Sequence, residues 1–245
     1  MNISYFIQNK IRYWKINNIR SKNTLLNNNS YFFLNNYMNL LSTEPLDNIE
    51  SNSERIRYVV FDTETTGLNY KSDKLLSIGA IGIHGSTLTI QDYFYDIIYM
   101  ERQKGEDIMI HGILPSESRK GKDENYVLQN FINYIGNSVL IAHNIDFDLG
   151  FINSALNNYF YFEILNRKID TFLLAEKIEK KINPDHFIHD RSKFQLDTLL
   201  KNYDIPQIAR HNSLSDAFSI AILFLKLQSR YRCIGQNKLI DLLCG

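Results

Sequence analysis

The strongest constraint on how this chain folds is the stretch Tyr58-Val59-Val60-Phe61-Asp62-Thr63-Glu64, an apolar run that passes straight into two acids spaced two apart. Four consecutive apolar residues fit a buried strand. In a strand, residues two apart share a face, so Asp62 and Glu64 present their carboxylates side by side at its end. Like charges so placed repel unless a cation sits between them, and hard divalent ions take such oxygen ligands. The same stretch, continued through Thr65, Thr66, Gly67 and Leu68, also fits a strand that simply ends in polar residues and a turn. The rest of the chain has to decide between the two.

Downstream, Lys74 to Ile83 and Thr87 to Ile98 read as two more strands, joined by a tight turn at His84 to Ser86. Three strands with short connections form an antiparallel meander. Gly79 and Gly82 interrupt the second strand and mark a close backbone approach or a bulge. The remainder alternates: helix at Tyr126 to Ile135, strand at Ser138 to Ala142, helix at Asp146 to Asn157, strand at Lys168 to Thr171, then helices at Phe172 to Lys180, Gln195 to Lys201 and Ser213 to Tyr231. A meander followed by such alternation predicts an α/β fold, a mixed sheet with helices packed on it.

Residues 1–50 have a different character. They carry Lys10, Arg12, Lys15, Arg20 and Lys22 with no acid before Glu44, and they are rich in Asn. Phe6, Ile7, Ile11 and Trp14 fall at a loose helical spacing, and Tyr31 to Leu41 forms a second helical candidate whose apolar face needs a partner. That partner is the main domain, another subunit, nucleic-acid phosphates or a membrane surface. A polar linker from Pro45 to Glu54 separates this basic, Asn-rich helical extension from a domain over 51–245.

Composition removes several function classes. Lys plus Arg and Asp plus Glu number 27 each, so net charge argues for no nucleic-acid partner, and any basic patch, such as Lys71, Lys74, Arg119, Lys120 and Lys122, is local. Two cysteines, Cys233 and Cys244, make neither a disulfide framework nor a thiolate metal site and suit a reducing compartment. The chain has no run of about 18 apolar residues to cross a membrane, and its N-terminus lacks a signal peptide's apolar core. The cytoplasm is the expected location.

Two further motifs carry acids. Ala142-His143-Asn144-Ile145-Asp146-Phe147-Asp148 puts a carboxylate just after a strand, in the first turn of a helix. Asp146 there fits a helix cap, or a ligand at the carboxyl end of a strand. In His211-Asn212-Ser213-Leu214-Ser215-Asp216-Ala217, Ser213 can cap a helix with Asp216 in its first turn. His211 fits a surface residue, or a base held beside the metal rather than on it. Asp62, Glu64, Asp146 and Asp216 together would be costly to cluster without cations, and two divalent ions about 4 Å apart resolve the cost.

The segments FDTETTGL (61–68), AHNIDFD (142–148) and HNSLSDA (211–217) resemble, in order and spacing, the three motifs of the DEDDh exonuclease family. The likeness runs from about residue 56 to 228 and is closest to the proofreading epsilon subunit of bacterial DNA polymerase III and its stand-alone relatives. It implies a ribonuclease H-like exonuclease fold, a five-stranded mixed sheet with its first three strands antiparallel and helices on its flanks. It also implies 3′-5′ hydrolysis of single-stranded or frayed DNA to nucleoside 5′-monophosphates, with two Mg²⁺ or substituting Mn²⁺. By the resemblance Asp62, Glu64, Asp146 and Asp216 are the metal ligands and His211 the general base. Thr65, Leu68, His111, Ile113, Asn144 and Phe147 contact substrate or shape its site, and His143 contacts phosphate or orients a neighbour. Asp148 and Asp197 are expected to be solvent-facing or capping. The other readings are an RNA-trimming exonuclease and an idle nucleic-acid-binding or scaffold module. Two departures stand out: many epsilon-type sequences carry a glutamate where Ser77 stands, and the extension lies N-terminal, pointing to a stand-alone or differently recruited enzyme with an unidentified replication or repair partner.

Overall fold

The computed structural model describes residues 28–42, 56–101, 112–207 and 211–235. The expected helix at Phe6 to Trp14, the linker at Pro45 to Glu54, and the segment after Gly235 lie outside them, as does His111.

The apolar run forms β1 (Arg57–Thr65), and the meander continues through β2 (Leu75–His84) and β3 (Thr87–Ile97). After a single helical turn, α2 (Pro115–Ser118), come α3 (Glu124–Ile135), β4 (Val139–Ala142), α4 (Ile145–Phe160), β5 (Lys168–Asp170), α5 (Thr171–Ile182), α6 (Leu196–Asn202) and α7 (Ser213–Cys233). The five strands form one sheet in the order β3-β2-β1-β4-β5. The first three pair antiparallel, while β1 with β4 and β4 with β5 pair parallel.

Because β1 is central, its side chains alternate between two cores. Val59 and Phe61 join the side chains of α3 and α4, whereas Tyr58 and Val60 join those of α5, α6 and α7. Continuing that alternation, Asp62 and Glu64 face the α7 layer and Thr63 faces the α4 layer.

The Tyr31 to Leu41 candidate is helix α1 (Asn28–Ser42). Of the partners open to its apolar face, the structure shows the main domain. Phe33, Leu34, Tyr37, Met38 and Leu41 are buried in the α3/α4 core. Tyr37 Oη donates to Asn166 Oδ1 at 2.7 Å and accepts from the Leu165 N–H at 2.8 Å. Each such buried side chain stabilises by roughly 1.5–3 kcal/mol, so α1 is part of the domain's stability.

Both strand glycines have a packing reason. A Cβ on Gly79 would lie 2.2 Å from the Leu214 backbone nitrogen, so α7 starts in contact with β2. Gly82 sits at the register shift between Ile81 and Ile83, where a Cβ would collide with Asp92.

Candidate active site

The contact at Gly79 builds the site. Gly79 is the register partner of Asp62, and Ser77 that of Glu64. With no side chain at 79, the first turn of α7 settles over the end of β1. Ser77, fully buried, fastens it there through its hydroxyl, 2.9 Å from that of Ser213. Ser213 therefore does not cap α7. Asn212 does, its Oδ1 accepting from the Ser215 N–H at 3.1 Å, while its Nδ2 reaches Tyr95 Oη on β3 at 3.3 Å.

One helical turn further, Asp216 arrives above the β1 pair. Carboxylate oxygens of Asp62, Glu64 and Asp216 lie within 4.8 Å of one another, the one such group of acids among the described residues. Glu64 is 9% exposed and Asp216 5%. Three hard oxygen donors packed this tightly, two of them nearly out of water, fit a divalent cation.

His211 sits on the turn before α7 with φ +62°, a left-handed conformation that a non-glycine residue adopts only when held. Two contacts hold it: its N–H donates to Asp216 Oδ2 at 3.2 Å, and Gly112 packs so closely that a Cβ there would approach the His211 carbonyl to 3.0 Å. The imidazole is exposed beside the cluster, outside the group of clustered oxygens.

Asp146 is not brought to the other three acids. Its side chain is 82% exposed and pairs with Lys168 on β5. The reason is helical phase. In α4, Ile145, Asp148, Leu149 and Ile152 share the buried face, and position 146 points away from it. Asp148 takes the inward place, 3% exposed, with Oδ1 accepting from the Thr63 N–H at 3.0 Å and from Thr63 Oγ1 at 2.6 Å. The expectation of a solvent-facing or capping Asp148 is thus corrected as well, and the periodicity of Ile145, Leu149 and Ile152 was the signal for it. Burial pushes the Asp148 carboxyl up to about 7, against the pull of its Thr63 hydrogen bonds.

The remaining expected residues are distributed as follows. Thr65 is buried and donates its hydroxyl to the Gly67 carbonyl at 2.6 Å. Leu68, 84% exposed, projects from the loop after β1, and Ile113 is buried next to Gly112. Asn144 precedes α4 in a left-handed conformation, φ 60°, and Phe147 packs against Phe151 with ring centroids 5.2 Å apart. Asp197 is held by Gln207 on an exposed surface.

Known proteins resemble this chain over the same region. The model of the exonuclease family RNase_T matches residues 59–224. The DNA polymerase III subunit epsilon of Buchnera aphidicola subsp. Schizaphis graminum is 33% identical over 207 residues, covering 78% of this chain and 82% of that protein. The DNA polymerase III PolC-type of Staphylococcus epidermidis is 26% identical over 79% of this chain but only 13% of its own length, so the chain spans a small part of those relatives. Among solved structures, E. coli exonuclease I in complex with a dT13 oligonucleotide matches with a TM-score of 0.62 at 16% identity, over 74% of this chain and 43% of that one. Cell-death related nuclease 4 matches with a TM-score of 0.59 at 11% identity, over 71% and 64%. The shared architecture is the ribonuclease H-like exonuclease fold.

Proposed function

Since the chain belongs to the exonuclease family, and is a nuclease hydrolase, we propose that it is a metal-dependent 3′-5′ exonuclease of single-stranded or frayed DNA that releases nucleoside 5′-monophosphates. The observation that carries this reading is the convergence of Asp62, Glu64 and Asp216 at the end of β1. Asp148, tied to Thr63 between the two β1 acids, is proposed as the fourth carboxylate in place of Asp146. DNA is favoured as substrate by the relatives named as DNA polymerase III subunits and by exonuclease I, which was solved with a dT13 oligonucleotide.

In this reading Asp62, Glu64, Asp148 and Asp216 hold two Mg²⁺ or Mn²⁺. Ions bound there would supply Lewis acidity, lowering the pKa of a water and offsetting charge on the leaving oxygen. His211 takes the proton from the attacking water, a task suited to an imidazole near neutral pH. Its backbone tie to Asp216 keeps base and ligand in fixed relation. The exposed Leu68 would lie against the terminal base, Thr65 and its neighbours would hold the 3′-hydroxyl, and Asn144 and Phe147 would shape the wall beside Asp148.

The test is 3′-labelled single-stranded DNA incubated with Mg²⁺ or Mn²⁺. Mononucleotides should appear and EDTA should stop their release; no metal-dependent digestion by a clean preparation sinks the reading. A matched RNA oligonucleotide should be cut more slowly, and faster cutting of RNA would reassign the substrate.

A further inference from the structure

The tripeptide Asp170-Thr171-Phe172, at the junction of β5 and α5, grips the segment His143-Asn144-Ile145 at the junction of β4 and α4. Asp170 is the register partner of Ala142, so the two parallel strands end level with each other. Its carboxylate, 7% exposed, caps its own helix by accepting from the Phe172 N–H at 2.8 Å. It also caps α4, accepting from the Asn144 N–H at 3.1 Å and the Ile145 N–H at 3.2 Å. The side chain of Asn144 makes no cap bond to α4, so part of the capping is supplied from another strand. One carboxylate thereby locks two helix N-termini together.

Its neighbours complete the grip. Thr171, fully buried, donates its hydroxyl to the Ala142 carbonyl at 3.2 Å. Its oxygen also lies 3.0 Å from His143 Nδ1. The ring of Phe172 meets that of His143 edge-on at 5.9 Å, and His143 Nε2 is buried. His143, half-buried, is held by Thr171 and Phe172.

We propose that Asp170 is a positioning residue of the nuclease centre: by capping α4 from β5 it holds the left-handed turn at Asn144 and so sets where Asp148 meets β1. This rests on the reading of Asp148 as one of the four carboxylates. A left-handed Asn costs free energy that neighbouring structure has to offset, and the Asp170 contacts to two successive N–H groups at that turn do so.

Two variants grade the grip. Asp170→Asn keeps Oδ1, and with it the Asn144 and Phe172 contacts, but sets an amide donor against the Ile145 N–H; Asp170→Ala removes all three. Isothermal calorimetry with Mn²⁺ alone should show affinity falling about tenfold in Asp170→Asn and about a hundredfold in Asp170→Ala. Amide exchange at Ile145 should speed up about tenfold in Asp170→Asn, with Asn144 joining it in Asp170→Ala. Turnover should follow Mn²⁺ affinity, with KM for DNA within about threefold of wild type. Wild-type Mn²⁺ affinity and wild-type exchange in a folded Asp170→Ala protein overturn the proposal. So does an Asp170→Asn protein whose losses match only its loss of folded material by circular dichroism. The nuclease reading fails separately, through a wild-type protein that digests no DNA; the grip on Asn144 and Ile145 is read by exchange, which needs no activity.

Discussion

The two faces of the sheet treat their acids in opposite ways. On the α7 face, Asp62, Glu64 and Asp216 are gathered with their oxygens within 4.8 Å, an arrangement that could hold a cation. On the α4 face, Asp148 and Asp170 are each buried and satisfied by N–H and O–H donors: Thr63 for the first, and Asn144, Ile145 and Phe172 for the second. Burial raises both of their pKa values. The difference separates two uses of a carboxylate. One face gathers acids that could hold a cation, and the other uses acids to fix backbone; Asp148 is the residue proposed to serve both purposes.

Asp62→Ala tests the binding face most severely, since it removes a member of the cluster from the most central strand. Release of mononucleotides should be nearly abolished while circular dichroism is unchanged; an Asp62→Ala protein as active as wild type would mean that the nuclease measured is a contaminant or the site lies elsewhere. His211→Ala should cost about 10²–10⁴-fold in turnover, the range for a lost general base. Mn²⁺ binding by calorimetry should be largely kept, because the backbone N–H that touches Asp216 survives the substitution. Lost Mn²⁺ binding would move His211 from base to ligand.

Asp148→Asn probes the junction of the two faces. Its amide can still accept from Thr63 through Oδ1, so the fold should persist, yet turnover should fall by about a hundredfold with loss of the charge. A smaller effect belongs to Gly79→Ala. The added Cβ meets the backbone of Ser213 and Leu214, which cannot swing aside as a flexible side chain would. Unfolding free energy in urea should drop by about 1–3 kcal/mol, and turnover should drop with it as Asp216 is pushed from β1. Wild-type stability would show that α7 does not depend on close approach at that point.

How legible each face was in the sequence follows from what sets it. Strand alternation has period two, so Asp62 and Glu64 shared a face on any register, and Gly79 announced a close approach without naming its partner. The meander was legible from its short turns, and the five-strand mixed sheet from the family resemblance. Asp146 and Asp148 were a harder case, because two acids at a helix start both look like caps until the phase of Ile145, Leu149 and Ile152 is applied to them. Asp170 was illegible: it caps α4 through contacts 25 and 26 residues away in sequence, and no local pattern marks an acid that serves another element's N-terminus. The cap of α7 fell on Asn212 rather than Ser213 because the Ser213 hydroxyl is taken by Ser77, a pairing across 136 residues.

Asp146→Asn is the smallest effect and the sharpest control on the comparison. Asp146 and Asp148 are two residues apart, carry the same side chain and sit in the same helical turn, so any account based on composition or local sequence treats them alike. The helix does not: 148 points at Thr63 and 146 at solvent and Lys168. An exposed ion pair contributes at most about 1 kcal/mol, so the urea midpoint should barely move in Asp146→Asn. Turnover should stay within about twofold of wild type, as for a surface substitution away from the chemistry. If Asp146→Asn instead lost activity to the extent of Asp148→Asn, the phase of α4 in the active enzyme would differ from the one described. The acid presented to β1 would then be Asp146, and the division of labour between the two faces would have to be redrawn around it.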